Sequence, residues 1–322
     1  MKRITFICAK GFETFIKPIV KELDKSNDYI CDAQYLNLQD GQDKIITQMN
    51  VAINWADIVW FEWANELAVL GTIEKLCPEI KNKEVIVRLH SYEALTDMPK
   101  QINWENVDRL IFVAEHIHSI TNTYNLIPAK VEYVIIPNGV DMTKCKIMSK
   151  VQDPYKIACV GNINHKKDPS TLLQIMQKLV LRHPGIKLYI AGAYQDRRYE
   201  VYLPYMIKNM NLTHNIIFDG FVKDMSKWYQ DKSVLLSTSI HEGHSCCITE
   251  AMARGIYPVI HNFFGSSEQY PPECLYNTVD EAVFLIEDAV KREKKWLREW
   301  IIDHKWTFKD QIRQTREIID GI

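Results

Sequence analysis

Short, almost continuously apolar runs alternate with longer amphipathic stretches along the whole chain. In the first half the runs RITFICA (3–9), YICDAQYL (29–36), ADIVWFEWA (56–64), EVIVRLHS (84–91), RLIFVAE (109–115) and VEYVIIPN (131–138) read as strands, with helical segments between most of them. This alternation predicts βαβ units and a parallel sheet. The runs have no polar side, as expected of strands covered by helices on both faces. A second series contains KIACVGN (156–162), IKLYIAGA (186–193), NIIFDGFV (215–222), SVLLSTS (233–239) and YPVIHN (257–262) as strands, with PSTLLQIMQKLVLRH (169–183) and ITEAMARG (248–255) as helices. Between the two series the chain turns polar through CKIMSKVQDP, and Pro154 interrupts it as a linker would. The expectation is an α/β protein of two Rossmann-like parallel-sheet domains, residues 1–150 and 151–305, which a length of 322 residues accommodates. The last stretch, from 289 to 320, reads as helical and amphipathic.

Composition narrows the function classes. Hydrophobic residues at 47% and charged residues at 25% are ordinary globular usage, so each domain can bury a core. A formal net charge of −2 supplies no basic field for phosphate backbones, and no nucleic-acid partner is expected. The eight cysteines show no C-x-x-C spacing and read as reduced core thiols, neither zinc ligands nor a disulfide framework. The N-terminal apolar run is too short for a signal peptide and no run of 18 apolar residues occurs, so the expected location is cytoplasmic. Lys291 to Lys305 is locally basic and carries Trp296 and Trp300, with Trp306 following. A solvated helix face with buried tryptophans is the reading preferred there, over peripheral contact with anionic lipid at the inner face of a membrane.

Neither series opens with G-x-G-x-x-G. The first offers CAKGFETF and the second VGNINHKKD, which removes the main support for a nicotinamide oxidoreductase. In open parallel sheets ligands bind beyond the carboxyl ends of strands, so the residues after each strand matter most. The richest of these segments is STSIHEGHSCCITEAMARG (237–255), where a strand passes through a short loop into a helix. Ser245 is a plausible N-cap, and the amides of Ser245, Cys246 and Cys247 would offer a phosphate the positive end of a helix dipole. Glu242 precedes those amides and Glu250 lies more than a turn beyond them. One carboxylate can accept sugar hydroxyls and the other ribose hydroxyls, with a diphosphate between.

A strand followed by EGHSCCITEAMARG (242–255) resembles the E-G-x-x-x-x-x-x-E-A-M-A-x-G signature of the retaining GT-B glycosyltransferases of family four, the E-x7-E motif type. VGNINHKKDPSTLL is similar to that family's G-R-x-x-x-x-K-G loop. Gly161 and Lys167 match, whereas Asn162 stands in place of Arg and Asp168 in place of Gly. VIIPNGVD (134–141) is similar to the stretch ending the family's first domain, and FDGFV to its base-binding segment. GIYPVI, however, holds one residue more than the family's G-x-P-V-I, and HNFFGSSEQYP after it aligns loosely.

The resemblance implies two domains facing a central cleft, with residues 306–322 forming a terminal helix that packs back on the first. It implies transfer of a sugar from a nucleoside diphosphate sugar, such as a UDP- or GDP-sugar, to a glycan, lipid-linked or other hydroxyl acceptor. The anomeric configuration is retained, and no metal or other cofactor takes part. It assigns catalysis to Glu242, Lys167 and His90. Donor contacts fall to Gly161, Asn162, Phe221, Val222, Gly243, His244, Ser245, Cys246 and Glu250, and the acceptor side to Gly11 and Glu62. A structural histidine is an equal reading for His90, and a solvated carboxylate beside a core Trp63 an equal one for Glu62. The implied setting is bacterial cell-surface polysaccharide or glycoconjugate synthesis. A GT-B sugar-nucleotide epimerase and a non-catalytic sugar-nucleotide-binding subunit are the alternatives.

Overall fold

The computed structural model describes residues 1–147, 155–289, 291–292 and 294–321. It divides into two compact units, Met1–Asn138 with Lys309–Ile322, and Gly139–Phe308. The junction expected at 150/151 and Pro154 lie outside the described residues.

The first unit is built on six strands: β1 (Lys2–Ala9), β2 (Tyr29–Leu36), β3 (Ile58–Glu62), β4 (Glu84–Leu89), β5 (Arg109–Phe112) and β6 (Tyr133–Ile135), in the order β2-β1-β3-β4-β5-β6. All neighbours are parallel. All five residues of β3 are buried, as two-sided helix cover requires. Helix Gln42–Trp55 buries Ile45, Met49, Ala52 and Ile53, one stripe at 3.6-residue spacing, against a core that includes Ile7, Val59, Phe61 and Val87. From Lys309 on, the terminal helix Phe308–Asp320 belongs to this unit, and Asp320 and the Ile319 carbonyl accept hydrogen bonds from Tyr29 and Lys2.

The second unit carries β7 (Lys156–Val160), β8 (Lys187–Ala191), β9 (Ile216–Gly220), β10 (Val234–Ser237), β11 (Tyr257–His261) and β12 (Leu275–Tyr276), ordered β12-β11-β10-β7-β8-β9 and again parallel throughout. The two-residue β12 was not anticipated, because so short a strand leaves no periodic signal. In both sheets the chain leaves a central strand in one direction and then returns to its other side. The switch lies between β1 and β3 in the first unit and between β7 and β10 in the second. Loops diverge there and leave a crevice at the strand carboxyl ends.

The C-terminal stretch forms the helices Lys295–Asp303 and Phe308–Asp320, separated where Lys305 takes a left-handed conformation (φ 57°) and Trp306 turns into the core. Two expectations need correction. Trp296 and Trp300 are only half-buried. The cysteines are all free, but Cys31, Cys159, Cys246 and Cys247 are only partly buried, Cys159 and Cys247 packing against the edge of the second unit's core.

Candidate functional site

The second unit's switch point is occupied by a charged cluster. Glu242, on the loop after β10, is 6% exposed. Its Oε1 lies 2.5 Å from Lys167 Nζ and accepts the Ser239 hydroxyl at 2.9 Å, while Lys166 Nζ donates to Oε2 at 3.0 Å. Burial alone pushes the Glu242 carboxyl up, but Lys167 and Lys166 more than reverse this and hold it down at about 2. Burial likewise works against the Lys167 ammonium, yet Glu242 carries its pKa above the ordinary lysine value. The carboxylate is therefore permanently ionised near neutral pH. Two ammonium groups share it, so this group of three keeps net positive charge.

Local chemistry sets the two lysines in place. They sit in a single 3₁₀ turn after β7, where the Asn164 side chain accepts the Lys167 amide at 3.2 Å. The turn is stitched to the loop after β10 by Thr238 Oγ1 donating to the Lys167 carbonyl and by Ile240 N donating to the Lys166 carbonyl. Asp168 next takes a left-handed conformation (φ 38°), which accounts for glycine in the resembling pattern, and its side chain caps helix Pro169–Arg182 through Thr171. Gly161 (φ 139°) lies beneath Lys167: a Cβ there would approach Lys167 Cε to 2.6 Å. Asn162 is turned elsewhere, with Oδ1 accepting the Ala193 amide at 3.1 Å.

Helix Cys246–Ala253 starts directly after this loop with Ser245 at its N-cap position. The expected side-chain cap is not formed, because the Ser245 hydroxyl contacts Cys247 Sγ at 3.2 Å instead. Gly243, whose carbonyl accepts from Gln269 at 3.0 Å, and His244, edge-on to Trp306, are buried beside it. Glu250 does not join the lysine cluster. Its side chain, about a third exposed, lies 3.6 Å from Arg254, and burial raises its pKa against the opposing pull of Arg254 and Lys144. Phe221 is 84% exposed and, with Val222, follows β9, two strands removed from β7.

A second cluster lies at the first unit's switch point. Glu62, the last residue of β3, is 0% exposed and hydrogen-bonds His90 Nε2 at 2.8 Å, Arg88 at 3.3 Å and Trp60 Nε1 at 3.0 Å. Burial raises its pKa, but Arg88 and His90 bring the balance below the usual carboxylate range. His90 stacks on Trp63 with ring centroids 3.9 Å apart, and Trp63 is held at φ 80°, a strained conformation for so large a side chain. Gly11 (φ 94°) turns the loop after β1 and donates its amide to Glu13 at 2.5 Å. Lys166 and Arg88 escaped the sequence reading. The signals were there: a doubled lysine in NHKKD, and one charge in the otherwise buried strand β4 after Glu84. Among the described residues no group of three or more His, Cys, Asp or Glu is placed to hold a metal ion, and no helix is long and apolar enough to cross a membrane.

Known proteins place these features in context. Protein CapJ of Staphylococcus aureus is 26% identical over 153 residues, 46% of this chain, and the chain spans only 38% of that protein's length. HepE of Anabaena, solved in complex with UDP-glucose, superposes with a TM-score of 0.82 at 14% identity over all of both chains. The lipopolysaccharide outer core galactosyltransferase WaaB does so with a TM-score of 0.71 at 16% identity over 99% of each. At such identities the likeness establishes the fold, which is GT-B. Residues 143–304, half of the chain, match the family described as glycosyl transferases group 1, and the chain belongs to that family.

Proposed function

We propose that this protein is a retaining glycosyltransferase of the E-x7-E type. It moves a sugar from a nucleoside diphosphate sugar to an acceptor hydroxyl, in cell-surface polysaccharide or glycoconjugate synthesis. The observation that carries this reading is the pairing of Lys166 and Lys167 on one buried, ionised Glu242 at the switch point of the second sheet, next to the start of helix Cys246–Ala253. A departing diphosphate gains negative charge as the glycosidic bond breaks, and groups aimed at that charge lower the barrier most. Lys167 and the helix terminus supply such groups from the chain itself. Glu242 has its oxygens committed to lysines and Ser239, which suits orienting a sugar through its hydroxyls and not attack on the anomeric carbon. The departing phosphate then takes the acceptor proton on the same face, which retains the configuration. The UDP-glucose bound by HepE supports a uridine donor, and the galactosyltransferase WaaB supports a glycan acceptor.

The test is thermal unfolding with UDP-, GDP-, ADP- and CMP-sugars, since a ligand at 100 times its Kd stabilises the folded state by about 2.7 kcal/mol. The stabilising donor is then incubated with hydroxyl acceptors and the product's anomeric configuration is read by NMR. An inverted product removes the retaining assignment. Binding without transfer to any acceptor favours the binding-subunit alternative, and no stabilisation by any of the four removes the proposal altogether.

A further inference from the structure

The cluster in the first unit is not what stability alone would select. Glu62, Arg88 and His90 are 0%, 1% and 4% exposed, at the ends of strands that are otherwise apolar. Burying such charges costs several kcal/mol per ion, and apolar replacements of similar volume are often at least as stable. Their arrangement is nonetheless specific. Arg88 spans Glu62 and Asn138, donating to the latter at 2.7 Å, and so keeps the carboxylate charged. An ionised carboxylate only accepts hydrogen bonds, so the 2.8 Å contact requires the proton to sit on His90 Nε2.

The imidazole is fixed in other ways as well. Trp63 stacks on its face at 3.9 Å with 24° between planes, and Phe15 lies 4.8 Å away. The Glu93 carboxylate ties the two loops together by accepting the amides of Ala64, after β3, and of His90, after β4. Burial keeps the His90 ring neutral against the pull of Glu62, with Arg88 acting in the same sense as burial. The titratable and charged groups facing it are Glu62 on β3, Arg88 on β4 and Glu93 on the turn beyond. Among the described residues no protein group bonds to Nδ1, which lies on the side of the ring away from Glu62.

We propose that Glu62 is a positioning residue for His90: it fixes the neutral Nε2–H tautomer, so that Nδ1 presents a lone pair to a hydroxyl of bound sugar. This moves Glu62 from the acceptor contact expected of it to a role exercised through the histidine, and it rests on the reading that His90 faces a sugar.

The experiment is a two-bond ¹H–¹⁵N correlation spectrum of the imidazoles in the full chain at pH 7, with His90 assigned by the signal lost in His90→Gln. The wild-type protein is expected to show a neutral ring protonated at Nε2. An Nδ1–H tautomer or an imidazolium overturns the proposal, and this measurement needs no Glu62 variant to fold. In Glu62→Ala both tautomers should appear and kcat should fall about tenfold, the worth of one well-placed hydrogen bond, with donor KM nearly unchanged. Glu62→Gln, whose amide oxygen still accepts, should restore tautomer and rate. An alanine variant with the wild-type tautomer and rate also overturns it. If the wild-type tautomer is as stated but no sugar nucleotide binds, the glycosyltransferase reading fails while the effect of Glu62 on His90 stands.

Discussion

Lys167 Nζ and Glu242 Oε1 lie 2.5 Å apart, joining the turn after β7 to the loop after β10 across the switch point of the second sheet. The pair is mutually stabilising: the carboxyl is held near 2 and the ammonium above its ordinary value. Because Lys166 also grips Glu242, each lysine can be removed without leaving a buried carboxylate unpaired.

Lys167→Ala is expected to lower kcat by about 10²- to 10³-fold while weakening nucleoside diphosphate binding much less, because the charge it meets grows as the bond breaks. Steady-state kinetics alongside calorimetry of UDP binding checks this. Equal losses in turnover and binding would reduce Lys167 to a donor anchor.

Lys166→Ala should weaken UDP binding by roughly tenfold, the scale of a hydrogen bond to a charged group, and make the remaining affinity less sensitive to salt. The Asn162 side chain bonds Ala193, so on the proposed reading the second positive charge at the diphosphate comes from Lys166, which bonds Glu242 at 3.0 Å. Unchanged affinity across a salt series would show that Lys166 serves only to hold Glu242.

Two buried carboxyls give opposite pH dependences. Glu242 has its folded pKa depressed from 4.5 to about 2, so its contribution to stability is complete above about pH 4.5 and is lost as pH falls towards 2. Glu93 is raised from 4.5 to about 7 by burial, which its backbone hydrogen bonds only partly offset. Its contribution is complete below about pH 4.5 and is lost as pH rises through 7. Urea unfolding between pH 2.5 and 8 should therefore show Glu242→Gln removing slope at the acid end and Glu93→Gln removing it between 4.5 and 7. Profiles that match wild type in both windows would contradict these assignments.

Gly192→Ala should destabilise the second unit by about 2–3 kcal/mol, since a Cβ there would stand 2.0 Å from the Gly161 carbonyl oxygen and the backbone must move. Because Gly161 underlies Lys167, donor binding should weaken as well. Unfolding and UDP titration of the same variant measure both, and an unaltered protein would disprove the close approach.

The alternation of apolar and amphipathic runs was enough to establish two parallel α/β halves and eleven of the twelve strands, because strands covered on both faces must be apolar throughout and helices between them must show a stripe. Local chemistry also marked Glu242, and the resemblance to the family's loop marked Gly161 and Lys167; all three follow strand ends, where ligands of parallel sheets bind. What the sequence left open depended on partners far apart along the chain. Lys166 is 76 residues from Glu242 and Arg88 is 26 residues from Glu62, and nothing in the spacing says that either pair will meet. Glu62 is the clearest case. Its position at a strand end suggested a carboxylate open to an acceptor, and only the tertiary packing of β3 against β4 turned it inward onto His90 and Arg88. Periodicity reports which side of an element is buried, whereas the fold decides which residues of distant elements share that burial and which charges must then be paired.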